Sequence, residues 1–200
     1  MTDHPPVMLV HGYLSPAKAL YPMQTALGRR GRSAHLVSLP PLAIGAVWDM
    51  ALSLDQSVDR VLRETGAPKV DVVGVSLGGL TALWWLRRLA GYRRARRLVA
   101  VGTPFLGTPF AHVGVCLLGW AGPGAAQCLP DSTLIRSLAG GSPIPSTSIA
   151  ACGDRIAPPE SCVLEGAENV VLPGPGLSLV AHQWLILHRK TIDRVHLALE

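Results

Sequence analysis

Six short apolar runs recur along the 200-residue chain, and several of them are apolar without alternation. They are VMLV (Val7 to Val10), AHLVSL (Ala34 to Leu39), VDVVGV (Val70 to Val75), RLVAVG (Arg97 to Gly102), STSIAAC (Ser146 to Cys152) and NVVLP (Asn169 to Pro173). A strand with one wet face alternates apolar and polar residues. A run that stays apolar needs cover on both faces, as in a parallel sheet.

The segments between these runs read as helices. SPAKALYPMQTALGRRG carries Ser15 as an N-cap, Pro16 at the first helical position and Gly31 as a stop. WDMALSLDQSVDRVLRETG sets Leu54, Val58, Val61 and Leu62 on one face. Asp55, Asp59, Arg60 and Arg63 fall opposite, and Gly66 ends the segment. Helical pattern also follows Ser76 through Leu86 and returns near Trp184 to Leu199. Strands alternating with helices predict an α/β fold: a mainly parallel sheet of about six strands with helices on both faces. The length suits a single domain over residues 1–200. One region breaks the rhythm. From about 105 to 145 the chain is rich in Gly, Pro and apolar residues, which predicts a lid or cap inserted between two strands.

Composition narrows the class. Hydrophobic residues make up 48% and charged ones 16%, which excludes a disordered chain. No apolar run reaches the roughly 18 to 20 residues of a spanning helix. The start, MTDHPPVMLVHGY, has no signal-peptide pattern. The expectation is a cytoplasmic protein, or a secreted one if this is a trimmed mature form. The net charge is +5, and much of it lies in RRLAGYRRARR, Arg87 to Arg97. No nucleic-acid motif accompanies the run, so it reads as a solvated helix end and no nucleic-acid partner is expected. Cys116, Cys128, Cys152 and Cys162 form no C-x-x-C pair, which argues against zinc. They are either buried thiols or, in the sequence-local pairing, Cys116 with Cys128 and Cys152 with Cys162.

Chemistry enters at Gly74-Val75-Ser76-Leu77-Gly78, a G-x-S-x-G pattern with a strand before it and a helix after it. A serine on so sharp a turn is exposed for attack, and the helix N-terminus beside it favours developing negative charge. A second element is VMLVHGY, where a strand runs into His11-Gly12. A glycine turn there can aim a backbone N–H at the reacting centre. The N–H groups of Leu77 and Tyr13 are therefore the candidate oxyanion hole. His11 reads as a loop-structuring residue.

Four stretches, LVHGY, GVSLGG, VGTPFLGTPFA and GDRIAPPES, together resemble bacterial lipases and esterases of the α/β-hydrolase fold. The third resembles that family's T-P-H-x-G-T-P motif, with Phe105 where the family often has His. CLPDSTLIRSL is similar to the end of the family's cap. The resemblance spans Val7 to about Val195. The family's order of serine, acid and base implies Ser76, Asp154 and a later histidine. No histidine follows Gly176 directly, and His182 is the first available. HQWLILHRKTIDRV resembles the family's run into its last helix, which implies His182 as the base, with His188 as the alternative. A third alternative is that the histidine is lost, leaving an inactive relative. His196 reads as a surface residue.

The implied activity is carboxylic-ester hydrolysis through an acyl-enzyme, with no metal or organic cofactor. The partner is a small-molecule ester or lipid, with transient lipid-surface contact. Phe105, Leu106, Phe110 and Trp120, with Leu117 and Leu118, are the candidate contacts to an apolar acyl or alcohol group. Two alternatives stay open: a thioesterase or acyltransferase on the same fold, and a non-catalytic binding protein.

Overall fold

The computed structural model describes residues 4–117, 122–176 and 179–200, apart from the side chains of residues 41, 114, 116 and 117. Six strands form one sheet: β1 (Val7–Val10), β2 (Ala34–Leu36), β3 (Val70–Val75), β4 (Ala95–Val101), β5 (Ser146–Ala151) and β6 (Glu168–Leu172). Their order is β2-β1-β3-β4-β5-β6 and every neighbouring pair is parallel. β2 is shorter than its apolar run suggests. It is an edge strand, and Pro40 and Pro41 lie just beyond it, where no ladder donor is available.

Parallel neighbours need crossovers, and α-helices supply all but the last, between β5 and β6, which is a loop with a 3-10 turn at Pro159–Cys162. The helices are α1 (Tyr21–Gly28), α2 (Val47–Thr65), α3 (Leu77–Arg88), the short α4 (Phe110–Leu117), α5 (Pro123–Gln127) and α6 (Thr133–Ser137) between β4 and β5, then α7 (Val180–Leu187) and α8 (Arg189–Ala198). Successive strand residues point to opposite faces, so each strand feeds two cores. Met8, Val10, Val72, Leu98 and Ala100 pack with α2 and α3. Val7, Leu9, Val73, Val75, Val99 and Val101 pack with α1, α7 and α8. This double burial is why the strand sequences lack alternation.

The N-terminal helix starts later than its sequence suggests. Ala17–Leu20 form a 3-10 turn, and α1 begins only at Tyr21, where the missing N–H of Pro22 falls among the unpaired donors of a first turn. Ser15 makes no cap; its hydroxyl lies 3.5 Å from the carbonyl of Pro16.

The arginine run is largely engaged within the molecule. Arg87 donates to the carbonyls of Leu138 and Ala139 at 2.8 and 2.7 Å, and Arg88 to that of Ser137 at 3.3 Å. Arg94 bridges Asp55 and Asp59 on α2. Arg96 grips the buried Asp71 of β3 at 2.7 and 2.9 Å. Arg32 binds the same carboxylate from a fully buried position. Cys128 and Cys162 are buried free thiols and Cys152 is an exposed one. The pairing of Cys152 with Cys162 is therefore not made, and Cys128 is not bonded to Cys116. Among the described residues, no helix is long and apolar enough to cross a membrane.

Because all strands run the same way, their C-terminal ends gather at one edge. From β1 the chain first builds outward to β2 and then returns to place β3 on the other side. That reversal opens a crevice between the loops after β1 and β3, where parallel α/β sheets commonly bind ligands.

Candidate active site

Ser76 is the single residue between β3 and α3. Its φ of 52° and ψ of −124° are costly for a non-glycine residue, about 1–3 kcal/mol. The surroundings hold it there: its N–H donates to the carbonyl of Val101 at 2.8 Å, and its carbonyl accepts from Gly79 at 3.0 Å. Close approach requires two of the nearby glycines. A Cβ on Gly78 would lie 2.3 Å from the carbonyl oxygen of Val10, so α3 seats directly on the end of β1. A Cβ on Gly12 would lie 2.9 Å from the Cβ of Ser76, so the loop leaving β1 passes against the serine.

Asp154 lies three residues beyond β5 and is 3% exposed. Its Oδ1 accepts from the N–H groups of Ile156 at 2.8 Å and Ala157 at 3.0 Å. Its Oδ2 lies 2.7 Å from His182 Nδ1. A carboxylate at Nδ1 keeps a proton there and leaves Nε2 as the acceptor. His182 is 5% exposed and belongs to the first turn of α7. Gly102, at the end of β4, backs its ring: a Cβ there would lie 3.1 Å from His182 Cε1.

Three other histidines are engaged elsewhere. His188 caps α8 by accepting from Lys190 at 3.2 Å and stacks on Trp184 at 4.0 Å. His11 is 2% exposed, and Nδ1 lies 3.2 Å from the carbonyl of Gly12. Burial pushes its pKa below the ordinary 6.5. It braces the loop that carries Tyr13. His196 lies 3.6 Å from Glu200 at the end of α8.

A cavity of about 500 Å³ brings the candidates together. Ser76, Leu77, His182 and Tyr13 all line it. Leu77 opens α3, so its N–H has no partner within the helix. Leu14, Pro16, Ala19, Pro104, Phe110, Ala111, Ala125 and Ile156 make most of the wall apolar. Thr108, Cys128 and Gln183 add polar atoms. Burial pushes the Cys128 thiol up to about 12, so it stays protonated and does not compete with the serine as a nucleophile. Burial also raises the Tyr13 hydroxyl, and the nearby Cys128 sulfur adds to this. A wider groove of about 940 Å³ shares the Phe110 wall and passes Asp154, Arg155, Pro158 and Leu179.

Of the expected substrate contacts among the described residues, only Phe110 lines the cavity. Phe105 is 5% exposed and packs in the core with the α2 and α3 residues, because the turn after β4 directs it inward. Leu106 is 56% exposed, its N–H is taken by the carbonyl of Ser161, and it does not line the cavity. Trp120 and Leu118 lie outside the described residues, as does the side chain of Leu117. Sequence reasoning missed the loop after β1, from Leu14 to Ala19, which forms one wall. Its position just past a strand end, between His-Gly and the first helix, was the available signal. Among the described residues, no three His, Cys, Asp or Glu side chains cluster as metal ligands.

No protein-family model matches the chain. Solved structures do resemble it. A mature lipase from Bacillus licheniformis superposes with a TM-score of 0.82 at 17% identity, covering 100% of this chain and 95% of that one. Lipase B from Aspergillus fumigatus gives 0.75 at 21% identity over 92% of this chain, which spans only 49% of the fungal protein. An α/β-hydrolase enzyme from a lagoon-sediment metagenome gives 0.70 at 18% identity, covering 97% and 90%. At such identities the likeness defines the architecture, which is the α/β-hydrolase fold.

Proposed function

We propose that this chain, an α/β-hydrolase by fold, hydrolyses carboxylic esters with Ser76 as nucleophile, His182 as base and Asp154 as the orienting acid. One observation carries the reading. The Asp154–His182 hydrogen bond of 2.7 Å opens, through His182, into the same cavity as the strained Ser76. Three groups far apart in sequence lie at the C-terminal edge of the sheet, an arrangement that supports these roles.

The steps follow from the residues. Nε2 of His182 takes the Ser76 hydroxyl proton as Oγ attacks the ester carbonyl. The imidazolium that forms is stabilised by the buried Asp154 carboxylate, whose second oxygen is already held by two backbone N–H groups. The negative charge on the carbonyl oxygen falls to the N–H groups of Leu77 and Tyr13. The imidazolium then protonates the departing alcohol, leaving an acyl group on Ser76. Water, deprotonated by the same imidazole, releases the acid. The apolar wall of Leu14, Ala19, Phe110, Ala111 and Ile156 suits a hydrocarbon acyl group.

The test is hydrolysis of p-nitrophenyl esters of increasing chain length, with Ser76→Ala and His182→Ala alongside. Each variant should lose activity by about 10⁶-fold in kcat. Activity surviving in Ser76→Ala would defeat the mechanism. Binding of esters without turnover by the intact protein would favour a non-catalytic role.

A further inference from the structure

The Thr108 hydroxyl has no part in the mechanism above, yet it touches the machinery that sets Asp154. It is 5% exposed, and its Oγ1 donates to the carbonyl of Ile156 at 2.6 Å. The N–H of Ile156 in turn donates to Asp154 Oδ1 at 2.8 Å. The same hydroxyl oxygen accepts from the N–H of Phe110, the first residue of α4, at 3.2 Å. The peptide groups of one residue, Ile156, are thus pulled from both sides: the carbonyl by the threonine and the amide by the carboxylate.

The threonine itself is anchored from elsewhere. Its backbone N–H donates to the carbonyl of Cys128 at 2.8 Å. The residue before it, Gly107, lies so close to the backbone of Pro130 that a Cβ would come within 2.4 Å. Two residues back, Leu106 donates to the carbonyl of Ser161 at 3.0 Å. The segment 106–108 is therefore wedged between the end of α5 and the loop after β5. Thr108 can transmit that fixed position to the acid.

We propose that Thr108 is a positioning residue: its hydroxyl ties the start of α4 to the loop after β5 and so fixes the Asp154 carboxylate against His182. The proposal rests on the triad reading given above. It differs from that reading in assigning a role to a cavity-wall side chain whose hydroxyl bonds run to the backbone of Ile156 and Phe110 and not to the reacting atoms. An ester hydrolase needs its acid held to within a few tenths of an ångström, and a small misplacement from outside the reacting groups costs rate rather than binding. A hydroxyl is suited to this task because it donates and accepts at once. Valine has the same shape and does neither.

The experiment compares Thr108→Val, Thr108→Ala and Thr108→Ser by ester hydrolysis and by the low-field proton resonance of the Asp154–His182 hydrogen bond. In Thr108→Val, kcat should fall on the order of 10- to 100-fold with KM within about threefold. The low-field resonance should move or broaden. Thr108→Ser keeps the hydroxyl and should recover most of kcat and the resonance. A folded Thr108→Val with the wild-type resonance and kcat overturns the proposal. So does a loss confined to KM. If neither hydroxyl-free variant folds while Thr108→Ser does, the hydroxyl serves stability and the proposal fails. Labelling of the wild-type serine by a fluorophosphonate separates the two levels. An unlabelled wild type sinks the hydrolase reading itself, whereas a labelled, active wild type with an indifferent Thr108→Val sinks only the role of Thr108.

Discussion

Asp154 accepts three hydrogen bonds, from His182 and from the amides of Ile156 and Ala157. Two of the donors are backbone groups that cannot swing away. Replacing the carboxylate with an amide in Asp154→Asn turns an acceptor facing Nδ1 into a donor, or forces the side chain to flip off the two amides. The first outcome, which keeps the two backbone bonds to the amide oxygen, drives the imidazole toward the tautomer with its proton on Nε2, where it cannot act as base. We expect kcat to fall about 10⁴-fold with the fold intact, read from ester turnover beside circular dichroism. Gly78 makes the complementary point for the serine. The atom a Cβ would strike is the Val10 carbonyl oxygen, part of a sheet that cannot yield. Gly78→Ala should therefore lift the start of α3, cost about 1–3 kcal/mol in urea denaturation, and lower kcat by moving the Leu77 N–H.

At the level of elements, the last helix is tethered to the sheet by charge. Asp71 lies near the start of β3 with no exposed surface. Arg32 and Arg96 bind it, and both also donate to the carbonyl of Leu199 just past α8. Desolvation pushes the Arg32 guanidinium down, and the Asp71 carboxylate is the main opposing influence, with Glu200 adding to it. Asp71→Asn would leave that cation buried without its counter-charge. We expect a loss of about 3–5 kcal/mol, measured as a lowered urea midpoint. Asp71 is at the opposite end of β3 from Ser76, so the protein that remains folded should keep its KM. The elements between β4 and β5 are read less easily. α4, α5 and α6 are short, and the Gly- and Pro-rich stretch that carries them offers few local signals of where each begins.

For the whole molecule, the proton balance between folded and unfolded chains decides how stability depends on pH. Burial lowers the pKa of both His11 and His35 from the ordinary 6.5. The unfolded chain therefore takes up protons that the folded chain refuses. The contribution is fully present above about pH 6.5 and is lost as pH falls through the lowered folded values. Urea midpoints should drop between pH 7.5 and 5.5. His35→Gln, which removes one of the two groups, should flatten that dependence; an unchanged slope would rule His35 out as a contributor.

Much of this architecture was legible in the linear chain, because the physics involved is local. Six apolar runs without alternation announced strands covered on both faces, and all six lie in the sheet within a few residues of their expected bounds. The Ser76 turn was legible for the same reason: glycines flank it wherever backbone presses on backbone. Local physics does not disclose which distant groups meet, and in the sequence the pairing of Asp154 with His182 rested on the family resemblance alone. Asp154 and His182 are 28 residues apart, and only the parallel order of β4, β5 and β6 and the docking of α7 bring them within 2.7 Å. Phe105 shows the converse. Its apolar character suggested a substrate contact, but burial in the core and lining a cavity demand the same chemistry of a side chain. Which of the two it does was decided by the turn after β4, a matter of tertiary direction that hydrophobicity alone does not encode.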